Sequence, residues 1–282
     1  MRRLIGRLWL SLAAAVPAFG RLLPPPVWAA YAANEYLVFP NLTYFTAGND
    51  EVKLDVYKRS DAAGPQPTVV FMHGGFWAAG SKEASLLSLV PWFEMGLNVV
   101  NVEYRLAQAA LAPAAVEDCL CALRFVCSHA KTYGIDTARI VLTGESAGAH
   151  LALITGMQLP TAAAIINWYG ITDVQDVIEG PHRAPAAMQW LGGLPDREAM
   201  AHRVSPLTHV RPGLPPILTI HGDADTTVPY DHAVRLHDAL AKAGVPNQLL
   251  TIAGGKHGNF TPQERRRIFA TIREFLRQND VL

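Results

Sequence analysis

Charge is scarce and evenly balanced in this 282-residue chain: 17% of residues are charged, and Lys plus Arg and Asp plus Glu each total 24. No net field draws such a chain to nucleic acid, and no long basic run offers a local phosphate stripe. The cluster Arg265, Arg266, Arg267 falls in an amphipathic helical pattern and reads as a solvated face. Nucleic acid is therefore not an expected partner. Cysteine is almost absent, with three residues at Cys119, Cys121 and Cys127 inside one helix-like segment and no C-x-x-C spacing. That count and spacing exclude a disulfide scaffold and a zinc knuckle, and leave the three as small core residues. HExxH, GxGxxG and GxxxxGK[ST] are all missing, so neither a metal nor a cofactor is expected.

What the chain has instead is apolar residues, half of its composition, enough to bury a sizeable core in one large α/β unit. The first residues differ in kind from the rest. Met1 to Arg7 is basic, Leu8 to Phe19 is an apolar stretch too short to span a bilayer comfortably, and small-x-small sites follow near Val27 to Ala32. This pattern gives residues 1–33 as a signal-like or anchor segment and residues 34–282 as a single catalytic-sized domain. Export is the expectation, with a cytoplasmic chain or an N-terminal arm lying on a membrane surface as the alternatives.

From Asn41 the chain alternates strand-like and helix-like segments. "VKLDVY" alternates apolar and polar residues as a half-buried strand does, whereas "TVVFM", "LNVVNV", "RIVLTG", "AAAIINW", "PPILTI" and "NQLLTI" are continuous apolar runs expected of strands buried on both faces. Between them lie helical patterns around Leu86 to Met95, after Pro113 up to a stop at Gly134, and over Ala233 to Ala243. A last helix starts at "TPQE", with capping-box spacing between Thr261 and Glu264 and an apolar face of Ile268, Ile272, Phe275 and Leu276. Such alternation implies a mostly parallel sheet with helices on both faces and a functional site at the carboxyl ends of the strands. The stretch from Thr172 to Gly193 breaks the pattern and reads as a small helical insertion, with no room elsewhere for a large cap.

Three polar signals fall at those strand ends. Gly144-Glu145-Ser146-Ala147-Gly148 matches the G-x-S-x-G elbow, in which serine occupies a sharp strand-to-helix turn too crowded for side chains two positions away. A plain helix N-cap serine is the competing reading. A serine hydroxyl needs a base and an orienter, and the elbow orders them Ser, then Asp or Glu, then His. "HGDADTTVPY" supplies Asp223 or Asp225, and "GGKHGNF" supplies His257. The third signal is His73-Gly74-Gly75-Phe76, a loop whose backbone N–H groups can turn toward a developing oxyanion beside the N–H of Ala147. His73 reads as a brace for that loop. His150 and His221 read as structural hydrogen-bonding residues.

"HGGFW", "GESAGAH", "HGDADTTVP" and "GGKHGNF", in that order over nearly all of Asn41 to Leu282, resemble the α/β-hydrolase esterases of the hormone-sensitive-lipase-like group, nearest the branch of bacterial feruloyl and acetylxylan esterase-like domains and kynurenine formamidases. The resemblance implies an α/β-hydrolase fold and a triad of Ser146, Asp225 and His257, the acid being the aspartate three residues after "HG" and before "VP". It also implies oxyanion donors at the N–H groups of Gly75, Phe76 and Ala147, with Gly74 shaping the loop. Phe76 departs from the lipase-like pattern, where a third glycine is common. "NVEYRLA" with "PAAVED" resembles the group's Tyr-Arg segment and helix acid, implying a structural Arg105 to Asp118 pair. The expected activity is hydrolysis of short-chain or aromatic acyl esters, a small-molecule substrate. An arylformamidase-like amidase is the alternative, and a hydrolase-fold binding protein with an unused triad is a more distant one.

Overall fold

The computed structural model describes residues 35–48, 50–179, 182–193 and 195–282. The arm expected over residues 1–33 lies outside the described residues. Eight strands form one sheet: β1 (Tyr36–Ala47), β2 (Asp50–Arg59), β3 (Gln66–Met72), β4 (Asn98–Val102), β5 (Ile135–Glu145), β6 (Ala162–Trp168), β7 (Ile217–Gly222) and β8 (Asn247–Ile252). Their order is β1-β2-β4-β3-β5-β6-β7-β8. The pairs β1/β2 and β2/β4 are antiparallel and every other pair is parallel, so β2 alone opposes the other seven strands, and the six contiguous parallel strands β3 to β8 share one carboxyl rim.

The central strands are apolar on both faces because both faces are covered. On β3, Val70 and Met72 pack into one layer while Val69 and Phe71 pack into the other. The first layer receives α2 (Ala114–Ser128) and α4 (Ala147–Gln158). The second receives α1 (Leu86–Glu94) and α9 (Pro262–Gln278), the latter through the four residues Ile268, Ile272, Phe275 and Leu276 that its spacing singled out. The capping box at Thr261 and Glu264 is formed. A short helix α3 (Ala130–Tyr133) ends at Gly134 in the left-handed conformation, and α8 (Asp231–Lys242) closes the β7 side.

Helix α4 follows a different rule from the amphipathic helices. Ala147 to Met157 are buried without exception, so it carries small residues rather than a polar face. The insertion between β6 and β7 forms α5 (Val174–Glu179), α6 (Pro185–Leu191), α7 (Arg197–Arg203) and a 3-10 turn at Pro206–His209. This is an α/β-hydrolase fold. Among the described residues no helix is long and apolar enough to cross a membrane.

The first strand departs from the sequence pattern. β1 lies at the sheet edge, half of it exposed, with a register shift between Phe39 and Leu42 and Asn41 at φ 56°. Pro40 sits in that bulge, where a missing N–H costs no ladder bond. β5 also begins earlier than "RIVLTG", at Ile135, beyond a local turn in which Asp136 accepts from the N–H of Ala138 and pairs with Arg139.

Candidate active site

Ser146 stands at the junction of β5 and α4 with φ 56° and ψ −118°, a conformation that a side chain adopts at a cost of about 1–3 kcal/mol. The surroundings enforce it. The Ser146 N–H donates to the Trp168 carbonyl (2.9 Å) while its own carbonyl accepts from His150 (3.0 Å). A Cβ on Gly144 would run into the Met72 carbonyl and the backbone of Gly148, and one on Gly148 into the carbonyls of Met72 and His73. The two glycines therefore let β5 and α4 close on the end of β3, and the serine is left pointing at the rim.

The end of β8 delivers His257 to the same place. Its Nε2 lies 3.0 Å from the Ser146 hydroxyl and its Nδ1 2.7 Å from Oδ2 of Asp225, which follows β7. The ring of Tyr169 packs against the imidazole, centroids 4.7 Å apart. Asp225 is fully desolvated at its side chain, and its Oδ1 accepts from the N–H groups of Thr227 (2.8 Å) and Val228 (3.1 Å). Burial alone would raise this carboxyl; hydrogen bonding from His221 and His257, the charge of His257 and the Thr227 N–H outweigh it and hold the group well below the usual carboxylate range. Because Asp225 stays ionised, it accepts the Nδ1 proton of His257 and leaves Nε2 to face the hydroxyl. Asp223, the other acid of the loop, turns away and accepts from the N–H of Gly254 at 2.6 Å.

The loop after β3 completes the rim. Gly75, Phe76 and Trp77 have φ values of 125°, 50° and 58°, three consecutive left-handed residues of which two are not glycine. Among the described residues the N–H groups of Gly75, Phe76 and Ala147 have no hydrogen-bond partner and remain free to donate. A Cβ on Gly74 would press on the Glu145 carbonyl at 2.9 Å, so the loop lies directly against the elbow. His73 is buried, bonded through Nδ1 to the Gly74 carbonyl (2.8 Å) and stacked on Tyr104, whose hydroxyl donates to the His73 carbonyl (2.8 Å). It braces the loop and does not face the serine. Arg105 binds Asp118 through both nitrogens of its fork and through its own backbone N–H.

Trp77 anchors the loop in a way its sequence position does not reveal. The indole N–H donates to Nδ1 of His150 (3.1 Å), so Nε2 of that ring carries the proton and donates to the Val204 carbonyl (2.7 Å). Burial, partly offset by the Val204 carbonyl, lowers the His150 pKa to about 4. Trp190 of the insertion stacks on Trp77 with centroids 4.2 Å apart. On the other side of the elbow, Glu145 lines a cavity of about 280 Å³ together with Phe71, Trp92, Trp168 and Arg265. Burial raises the Glu145 carboxyl, with Ser88, Arg265 and His257 opposing that shift.

The BD-FAE family profile matches residues 54–240, from β2 through the loop carrying Asp225 to the end of α8. The chain belongs to the BD-FAE family. Among curated proteins it is similar to the probable isoprenylcysteine alpha-carbonyl methylesterase ICMEL1 of Arabidopsis thaliana, 25% identical over 93% of this chain. The match spans 60% of that relative's length. Among solved structures it is similar to the butyrate-bound thermophilic esterase Est2 of Thermogutta terrifontis, with a TM-score of 0.74, 30% identity and coverage of 88% of this chain and 95% of that one. A truncated carbohydrate esterase from gut microbiota matches with a TM-score of 0.74 and 25% identity over 86% of this chain and 97% of that one.

Proposed function

We propose that this protein is a serine carboxylesterase acting on short-chain or aromatic acyl esters, with Ser146, His257 and Asp225 as its triad. The observation that carries this reading is the unbroken relay from Asp225 through His257 (2.7 Å) to Ser146 (3.0 Å) at a strained elbow. The esterase names of the relatives support it, and the butyrate held by Est2 supports a short acyl group.

In this reading His257 Nε2 takes the Ser146 proton as Oγ attacks the ester carbonyl, and the N–H groups of Gly75, Phe76 and Ala147 receive the oxyanion, with Gly74 and His73 fixing their loop. Each such donor contributes about 3 kcal/mol in the transition state. His257 then protonates the departing alcohol, and water repeats the sequence on the acyl-enzyme while Asp225 stabilises the imidazolium. Ser146→Ala should abolish turnover of p-nitrophenyl acetate and labelling by a fluorophosphonate while leaving the fold intact. Full activity in that variant sinks the reading. Comparing aryl formamides with short acyl esters separates an esterase from an amidase. The basic-then-apolar start of the sequence supports export of the domain, which N-terminal sequencing of native material tests.

A further inference from the structure

We propose that His221 is a positioning residue that holds Asp225 in the state the triad requires; this rests on the triad reading above. His221 lies in the last two residues of β7, is fully buried, and meets the Tyr230 ring nearly at right angles (centroids 5.8 Å apart). Its Nε2 lies 2.9 Å from the Val228 carbonyl and 3.3 Å from Oδ2 of Asp225. A carbonyl and a carboxylate only accept, so Nε2 carries a proton. The other ring nitrogen, Nδ1, is buried with no partner among the described residues.

That orphan nitrogen distinguishes a positioning role from simple packing. An apolar side chain of similar size would fill the same space without burying an unpaired polar atom, which is a cost that native interiors avoid. The one polar contact His221 gains in exchange is at Nε2. It bonds the carbonyl of Val228, whose own N–H donates to Oδ1 of Asp225, so the loop from Asp225 to Val228 closes on the carboxylate from both ends. The same N–H stands beside Oδ2, the oxygen that receives Nδ1–H of His257. Of the other charged or titratable groups nearby, Tyr230 is engaged with Thr251, Asp223 with the Gly254 N–H, Tyr169 packs its ring against His257, and Glu145 lines the cavity beside Trp168 and Arg265. His221 therefore draws negative charge from Oδ2 and keeps Asp225 an orienter that does not capture the proton of His257.

The test compares His221→Asn with His221→Gln in the full chain. The glutamine amide reaches the place of Nε2, whereas the asparagine amide stops near the place of Nδ1. Both are assayed with p-nitrophenyl acetate as pH profiles of kcat and kcat/KM, normalised to active sites by fluorophosphonate titration. In His221→Asn, kcat should fall about tenfold with KM unchanged, because the loop from Asp225 to Val228 loses its tie and the carboxylate no longer holds the imidazole in line with Ser146, a loss of alignment that outweighs the gain in basicity. With less charge drawn from Oδ2, the imidazolium is better stabilised, so the acidic limb of kcat/KM should move up by roughly half a pH unit. His221→Gln should return the limb and most of kcat. If His221→Asn does not fold, His221→Leu makes the same comparison. Limbs that coincide in the short and long variants, or that move to lower pH, overturn the assignment. A wild type that neither turns over nor labels overturns the triad reading and this inference with it.

Discussion

Acidification should destabilise the fold through the histidine that supports the glycine loop after β3, by an amount that can be worked from the structure. His150 accepts from Trp77 on Nδ1 and donates from Nε2, so a second proton would displace the indole bond inside a fully buried site. Its pKa of about 4 lies below the ordinary value of 6.5. Between those two values the unfolded chain binds a proton that the folded chain does not, so stability is lost as pH falls through this window. From pH 7 to pH 5 the loss attributable to this one group is about 2 kcal/mol. His232, buried and likewise lowered to about 4, acts in the same direction, while the raised carboxyl of Glu145 acts in the opposite one. A comparison with His150→Gln cancels both. Urea unfolding followed by tryptophan fluorescence is the assay. With a slope of about 3 kcal/mol per M, the wild-type midpoint should fall ~0.7 M further between pH 7 and pH 5 than that of the variant. Equal falls in the two proteins would refute the argument, since they would mean that His150 titrates alike folded and unfolded.

Two further substitutions probe the scaffold around the rim. Gly148→Ala places a methyl against the carbonyls of Met72 and His73, and since backbone must move to admit it, hydrolysis of p-nitrophenyl acetate should fall about 100-fold or more in a protein whose circular dichroism is unchanged. Wild-type rates in that variant would show that β3 and the elbow are less tightly opposed than described. Asp118→Ala leaves the Arg105 guanidinium without its buried partner and should cost about 3–5 kcal/mol, a fall in Tm of roughly 10 °C by calorimetry. A change of less than 2 °C would mean the pair contributes little.

The parts of the molecule legible in the sequence are those set by local spacing. Continuous apolar runs gave β3 to β7, because strands covered on both faces have no polar side to record, whereas β8, expected to be buried likewise, is the other sheet edge and only partly covered. The last helix carried both its cap and its buried face in plain periodicity. The strand-end motifs placed Ser146, His257 and either Asp223 or Asp225 on one rim, the family resemblance singled out Asp225, and the structure brings Ser146, His257 and Asp225 into hydrogen-bonding order. What could not be read lay in contacts between distant segments. β1 escaped because an edge strand interrupted by Pro40 and Asn41 has no regular alternation. Trp77 stands inside the quoted glycine loop, yet its partner His150 is 73 residues away, and the Val204 carbonyl is a further 54 beyond that. The same holds for His221, whose significance depends on which atoms of a later loop face it.

These distant contacts explain how the rim tolerates its own strain. Phe76, Trp77 and Ser146 all have positive φ without being glycine, which together costs about 3–9 kcal/mol. Such a conformation persists only where the surroundings over-determine it. Trp77 and Trp190 are both fully buried and stacked on each other, and a Trp burying 150–250 Å² gains about 4–6 kcal/mol from removal of apolar surface. The two indoles together oppose the strain of the loop and elbow, less the cost of the Trp190 N–H, which is buried with no partner among the described residues. One of them comes from the insertion, and so does the Val204 carbonyl that fixes His150. The insertion between β6 and β7 is therefore a structural support of the glycine loop after β3. A change at Trp190 or Val204 will be felt at the backbone N–H groups of Gly75 and Phe76.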